Sequence, residues 1–586
     1  MGRCVFVSFL WRSSGPHWYS FYTPQPIESS VEAEALVRKY ALQNAVLFEG
    51  RATAGAVLGK VMAENPDLRP KAREISAMAR SIVEEVNGMG LEAQRKALED
   101  LAPELLVKEV KKREAGLPEL PDVKGEVRMR MAPNPSGPLH VGHSRMAILN
   151  DEFVKRYGGI CYNRFEDTDP ARIDPAGYDT IPEDFDWLGV KIHKTIVQSE
   201  RFEIYYDIAR KMLEMGKAYV CTCTPESWRD LKNHKKACPH REQPLSEQMA
   251  RWDKMFDGSY RPEGASLIVK TDLTHPNPAI RDFVGLRIDD TPHPRTGTKY
   301  RVYPLMNLAV AVDDHLLDLT HVLRGKDHLN NTYRQEYIFG YFGWRKPVYI
   351  HYGRVSIEDA QLSTSKMAKG IREGKYSGWD DPQLATLRAL RRRGIRPEAL
   401  RRYWIETGMK EVDIKFSWKT LYSFNREIID DGANRYFFVH APVRLQIVGA
   451  PPGLSARAPV HPDHPERGVR EIAVGPGSTV MVSADDMGDG KRKVRLKDLC
   501  NLEIEGGAGR YVGNDLSFLK EGASIIHWVP EDSPEAEVLL TDGRVLKGLA
   551  EEGLKGSKDK LVQLERFAFV RVEQVSPLIR CVFAHQ

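Results

Sequence analysis

His140 and His143 close a run rich in proline and glycine, Pro133-Asn-Pro-Ser-Gly-Pro-Leu-His-Val-Gly-His143. Placed between a strand and the start of a helix, such a loop gathers backbone N–H groups and the positive end of a helix dipole, which suits phosphates. Two histidines three apart would point together at that place. A metal pair or two surface histidines are the competing readings; the first lacks further ligands nearby, and neither accounts for the preceding Pro-Asn-Pro-Ser-Gly-Pro. A second constellation is Cys221-Thr-Cys223, then fourteen residues, then Cys238-Pro-His240. Four sulfur and nitrogen donors within twenty residues match a closed, structural zinc site, with buried thiols as the alternative. The densest basic stretch, Arg388-Ala-Leu-Arg-Arg-Arg-Gly-Ile-Arg396 with Arg401 and Arg402, reads either as a solvated helix face or as a contact to phosphates whose strength would fall with salt.

The elements around these residues follow from periodicity. Val127-Arg-Met-Arg-Met-Ala alternates like a strand, a helical pattern runs from near Ser144 to Gly158-Gly159, and Ile160–Phe165 is a second strand. Strand, helix, strand at this spacing predicts a parallel sheet with a right-handed crossover. Ligands bind such sheets at the carboxyl ends of the strands, where the Pro133–Gly142 loop falls. Residues 27–120 form an N-terminal helical region without a catalytic constellation, ending in the breaker Gly116-Leu-Pro-Glu-Leu-Pro-Asp. Residues 1–26 read as a disordered leader or an unused upstream start. Their apolar run, Val5 to Trp11, has no small-residue cleavage site behind it, and Phe6 replaces the Ser or Thr of a myristoylation signal. Beyond Asp431, short alternating runs such as Val480-Met-Val-Ser and Lys493-Val-Arg-Leu predict β-barrels.

Composition bounds the rest. In 586 residues, 42% hydrophobic and 28% charged, there is ample material for several packed cores, which excludes a disordered polymer. A balance of 85 basic against 81 acidic residues, net +4, excludes a wholesale polycation, and seven cysteines exclude a disulfide scaffold. No apolar run approaches the length of a membrane helix. The expectation is a cytoplasmic, multidomain, monomeric protein.

His140-Val-Gly-His143 resembles a signature tetrapeptide of class I aminoacyl-tRNA synthetases. Arg130-Met-Ala-Pro-Asn-Pro-Ser-Gly and Arg164-Phe-Glu-Asp-Thr-Asp-Pro are similar to the glutamyl/glutaminyl branch. The resemblance runs from about Glu126 to the C-terminus, and its barrel region is of the archaeal and eukaryotic type. It implies an α/β multidomain fold: a Rossmann-like catalytic domain in two halves (121–218 and 301–345), an acceptor-end-binding insertion (219–300) holding the zinc ligands, a signature loop and helical connector (346–430), and anticodon-binding β-barrels (431–586).

The resemblance also implies a reaction, ATP-dependent attachment of L-glutamate to tRNA(Glu) through glutamyl-adenylate, with Mg²⁺ accompanying ATP and with tRNA(Gln) as a further acceptor left open. Pro133, Pro135, Gly137 and Gly142 would form the ATP loop, and His140 and His143 would meet the phosphates. The second class signature matches Gln361-Leu-Ser-Thr-Ser-Lys366, but Thr364 occupies the usual lysine position. Ser363 and Lys366 are then the ATP-site candidates. Glutamate would be held by Arg130, Asn134, Glu166 and Arg324, with Tyr303 as a wall and Met306 where many relatives carry a second tyrosine. Arg324 would face the side-chain carboxylate, because a guanidinium can grip a carboxylate with two parallel bonds. Two other readings stay open, a glutaminyl enzyme and a catalytically silent tRNA-binding paralogue. Arg470, Trp528 and Arg566 are candidates for stacking on anticodon bases.

Overall fold

A computed structural model of the chain describes residues 30–105, 116–358, 362–475, 477–488 and 490–586. The leader and residues 106–115 lie outside that range. Contacts divide the chain at Ala115/Gly116 into two units.

The first unit is helical, as its periodicity predicts. Helices Ser30–Leu47, Ala54–Glu64, Ala72–Asn87 and Leu91–Leu101 bury one face each. Ile75, Ala79, Ile82, Val83 and Val86 form the stripe of the third helix. Gln94 is wholly buried, and its amide donates to the carbonyls of Val86 and Met89 at 2.8 and 3.1 Å. It thereby satisfies the frayed end of that helix.

The second unit is built on a parallel sheet. Strands β1 (Arg128–Met131), β2 (Ile160–Phe165) and β3 (Lys194–Val197) pair in parallel, in the order β1-β2-β3. Strands β4 (His321–Gly325) and β5 (Val348–Tyr352) form a second parallel pair. Thr320 stitches the two halves, donating its N–H to the Arg128 carbonyl at 2.9 Å while its Oγ1 accepts from the Arg128 N–H. The sheet thus extends past the expected boundary at residue 345. Every residue of β5 is only half-buried, which is how an edge strand escapes recognition. Helix α1 (Val141–Tyr157) makes the first crossover. It ends where Gly158 takes φ +63, and a side chain on the next residue, Gly159, would collide with the Val127 carbonyl. A four-stranded antiparallel sheet, built mostly from the insertion, shares a core with the flanking halves around Phe202, Tyr205, Trp252, Leu286 and Tyr303.

Past Asp431 come two seven-stranded sheets, each with a separate core. In the first, the two edges are Arg435–Tyr436 and Phe438–His440, separated by Phe437 alone. In the second, the edges are Ser524–Ile526 and Trp528–Pro530, separated by His527 alone. One residue of chain therefore brings each sheet's edges together, which curls it into a near-barrel. The two closing residues stack on each other, with ring centroids 4.9 Å apart.

Candidate active site

Helix α1 starts at Val141, three residues before the position its apolar pattern suggests, because the histidines themselves form its cap. The Gly142 N–H donates to His140 Nδ1 at 3.1 Å, and the His140 N–H donates to His143 Nδ1 at 3.3 Å, a reciprocal capping box made by imidazoles. The rings stack with centroids 3.7 Å apart. With Nδ1 accepting from the backbone in both, the ring proton resides on Nε2, so each histidine presents an N–H donor. Burial drives the His140 pKa well below the histidine range and brings His143 down to about 4, so both rings are neutral at pH 7.

That shift has a sign for stability. Between about pH 6.5 and 4 the unfolded chain binds a proton that folded His143 refuses, so the contribution is complete above 6.5 and is lost as pH falls towards 4. Thermal unfolding of wild type and His143→Gln at pH 7 and pH 5 should show a smaller acid-induced drop in the variant. Equal drops would mean that His143 titrates normally.

The loop leading to His140 is held on several sides. Glu166 donates its N–H to the Pro133 carbonyl at 3.0 Å, and the Asn134 amide donates to the Glu166 carbonyl at 2.9 Å. Asp174 donates to the Pro135 carbonyl, and the Leu139 N–H donates to buried Asp184 at 2.7 Å. Gly137 has φ +135, and a Cβ there would lie 2.9 Å from both Thr364 and Trp379. The ATP-loop candidates and the second signature are therefore in contact through a glycine. In that signature, Gln361 lies outside the described residues, Ser363 precedes helix Thr364–Arg372 as its cap, and Lys366 is exposed on the helix's first turn.

The second cluster is a pocket of buried charge at the ends of β1, β2 and β4. Arg164 is fully buried between Asp314, at 2.6 Å, and Glu166, at 2.8 Å. Arg130 is 4% exposed and donates only to the Leu323 carbonyl at 3.2 Å. Arg324 is 6% exposed; both its terminal nitrogens donate to the single Gln335 Oε1 at 3.1 Å, and its plane lies 4.4 Å from the Tyr349 ring centroid. Burial and the like charge of Arg130 bring the Arg324 pKa down to about 10, which leaves it charged at pH 7. Arg130 Nε, Arg324 Nε, Asn134 Oδ1 and the Tyr349 hydroxyl have no hydrogen-bond partner. Three arginines thus face two carboxylates, an excess of one positive charge beside these three unsatisfied donors and one unsatisfied amide acceptor. Arg130, Asn134, Glu166 and Arg324 are brought together as expected. Tyr303 is not part of this group: it is fully buried in the core under the antiparallel sheet, with its hydroxyl on the Thr291 carbonyl at 3.2 Å and its ring against Phe202.

Sequence reasoning missed Arg164 as a site residue, along with Asp314, Gln335 and Tyr349. The available signal was the Arg164–Glu166 spacing, two apart where β2 ends. Asp314 and Gln335 sit on helices whose own patterns mark nothing.

Cys221, Cys223, Cys238 and His240 form one cluster whose donor atoms all lie within 4.8 Å of one another. Sγ–Sγ distances of 3.3 and 3.6 Å to Cys238 are too long for a disulfide. His240 Nδ1 lies 3.3–3.8 Å from the three sulfurs, while its Nε2 meets Thr222 Oγ1 at 3.0 Å. Four converging donors, with the imidazole oriented through its far nitrogen, fit a tetrahedral ion.

Five of the seven arginines in the basic run are engaged by protein partners, Arg402 by exposed acids. Arg388 pairs with Glu183, Arg392 with Glu573, Arg401 with Asp151 and Glu152, and Arg402 with Glu406 and Glu427. Arg393 is buried and donates to the carbonyls of Phe583 and Ala584. The stacking candidates are likewise engaged. Arg470 pairs with Glu551 and Glu565, Trp528 is fully buried with its indole N–H on the Lys497 carbonyl, and Arg566 meets Asp486.

Residues 126–431 match the model of the class I tRNA synthetase (E and Q) catalytic domain, and residues 433–517 match the anti-codon binding domain of the same class. The chain is 49% identical over 560 residues to the glutamate–tRNA ligase of Methanothermobacter thermautotrophicus, covering 95% of this chain and all of that protein. It is 49% identical to the glutamate–tRNA ligase of Thermococcus onnurineus and 48% identical to that of Methanocaldococcus jannaschii, covering 95% and 94% of this chain and all of each relative. Among the described residues no helix is long and apolar enough to cross a membrane. With the sheet, the histidine-capped loop and the pocket of buried arginines in place, the chain belongs to the glutamyl/glutaminyl family of class I tRNA synthetases.

Proposed function

We propose that the chain attaches L-glutamate to tRNA(Glu) in two ATP-dependent steps. The observation that carries this reading is the buried pair Arg130 and Arg324, neither bonded to a carboxylate, beside Glu166 and Asp314. Glutamate, with two carboxylates and one ammonium, carries the single negative charge that the three-arginine, two-carboxylate pocket lacks. Arg324 receives the side-chain carboxylate, exchanging a shared amide oxygen for two oxygens of its own. Glu166, whose Oε1 is taken by Arg164, offers its other oxygen to the α-ammonium.

In the first step an oxygen of the α-carboxylate attacks the α-phosphorus of ATP, the bond to the bridging oxygen breaks, and pyrophosphate leaves. In the second, a ribose hydroxyl of the terminal adenosine attacks the adenylate carbonyl, AMP leaves, and the hydroxyl proton passes to a phosphate oxygen or water. Such transfers depend on positioning and charge stabilisation more than on a protein nucleophile. His140 and His143 contribute neutral Nε2–H donors to the phosphates, and Lys366 contributes charge from the signature helix. Mg²⁺, bound with ATP, neutralises phosphate charge. The Thr364 substitution leaves this arrangement one lysine short of the usual signature, so Lys366 carries that charge alone.

We assign zinc to the Cys221, Cys223, Cys238 and His240 cluster, as a structural cross-link in the insertion that holds the acceptor end. Metal analysis should give about one zinc per chain in the wild type and almost none in Cys238→Ser. A wild-type value near zero removes the assignment.

The chain acts as a soluble cytoplasmic monomer in this reading. Charging assays with radiolabelled glutamate and glutamine, on tRNA(Glu) and tRNA(Gln), test the function: glutamate on tRNA(Glu) is the expected product, and no charging under any of the four conditions would leave a silent tRNA-binding paralogue. Glutamate appearing on tRNA(Gln) as well would extend the acceptor range.

A further inference from the structure

Seven arginines lie between residues 388 and 402, and five of them are committed to protein partners, as described above. The other two, Arg391 and Arg396, line one cavity of about 610 Å³ between the connector helices and the sheet that ends the chain. Lys560 and Arg571 line the same cavity from the sheet side, and Asp559, 4.0 Å from Arg571, is its only carboxylate. Four cations against one anion, in a space of the size that ligand pockets occupy, is an unbalanced arrangement that an anion would complete. The remaining wall is mostly apolar, with Trp187, Ile428 and Leu561, and carries the Asn434 amide and Ser557.

The charge does not continue along the surface. The adjoining groove shares Arg391, Asp559 and Arg571 but adds Glu183, Asp184, Asp380 and Glu573 to Arg388 and Arg392. Four arginines there face five carboxylates, one of them the buried Asp184, so the groove lacks the excess positive charge that a polynucleotide backbone, whose phosphates recur along its path, would need. A compact ligand fits better than a strand. We propose that this cavity binds a polyphosphate group, separate from the ATP loop, at the junction where the connector meets the last sheet. The polyphosphate comes either as a free chain or on a nucleoside whose base lies on the Trp187 and Ile428 wall.

Calorimetric titration of the full chain with inorganic tripolyphosphate, and separately with GTP, tests this. The wild type should bind one more equivalent of ligand than Arg391→Gln/Arg396→Gln. Lys560→Gln, on the opposite wall, should weaken the same event several-fold, and thermal unfolding of each variant reports whether it is folded. GTP binding several-fold tighter than tripolyphosphate identifies a nucleoside source, and equal affinity identifies a free chain. Identical stoichiometry in wild type and both variants would overturn the site. So would a loss of about 0.7–0.9 in the slope of log Kd for tRNA against log salt per cation removed, which would give the cavity to the tRNA backbone. The tripolyphosphate titration needs no tRNA and no amino acid, so its outcome is independent of the charging reaction.

Discussion

Replacing Arg324 by glutamine should lower kcat/KM for glutamate by a few hundred-fold or more and leave the KM for ATP nearly unchanged. Arg324 is 6% exposed, charged at pH 7 and bound to nothing but one amide oxygen and an aromatic face. Breaking a buried ion pair by removing one partner costs on the order of 3–5 kcal/mol, because the remaining charge is left uncompensated. In the variant that stranded charge is the substrate's side-chain carboxylate. The hydrogen bonds that hold the ATP loop do not involve Arg324, so nucleotide affinity is the internal control. Steady-state kinetics with glutamate and ATP varied in turn separates the two. An unchanged glutamate KM would mean that Arg324 faces another group. Glutamine should be a poorer substrate than glutamate for the wild type, since an amide cannot accept at both ends of the guanidinium fork.

The second large effect concerns His140, which does two things at once. As the cap of α1 it accepts the Gly142 N–H, and as a neutral imidazole it offers Nε2–H to a phosphate. His140→Ala loses both, and kcat for adenylate formation should fall by about 10²–10³, the range seen when a preorganised donor to developing charge is removed. The same variant should lose about 1 kcal/mol of stability with the cap. His140→Asn separates the two roles: asparagine is among the best N-caps, so Tm should recover, while kcat should stay low because its amide does not reach as far as the imidazole. Single-turnover adenylate formation alongside thermal unfolding reads both. Recovery of kcat with Tm would make His140 a structural cap only.

These two sites show how far the sequence could be read. The strand–loop–helix unit was legible because its pattern switches from alternation to helical spacing and its loop is rich in proline and glycine. The start of α1 was misplaced because histidine is an uncommon cap, and reciprocal capping by two imidazoles leaves no Ser, Thr, Asp or Asn to mark the boundary. Arg130, Glu166 and Arg324 were accessible through motifs, whereas Gln335, which orients Arg324, is a single polar residue on a helix and carries no local signal. The basic run illustrates the opposite failure. Its density suggested one charged surface, yet five of its seven arginines are engaged by acids or carbonyls, and apart from Glu406, one turn beyond Arg402, these partners are too distant in sequence for any local window to reveal. Trp528 and Arg470 failed as stacking candidates for a related reason, since in a closed sheet an aromatic or a cation beside a strand edge is as readily interior as exposed. The four-donor cluster, by contrast, was legible because its ligands are local in sequence.

The central claim is that a pocket with one excess buried positive charge selects glutamate for activation. ATP–pyrophosphate exchange by the intact chain in the presence of tRNA(Glu), with glutamate and glutamine compared at equal concentration, tests it most directly. Robust exchange with glutamate and little with glutamine is the expected result; exchange that is equal for the two, or larger for glutamine, would contradict it.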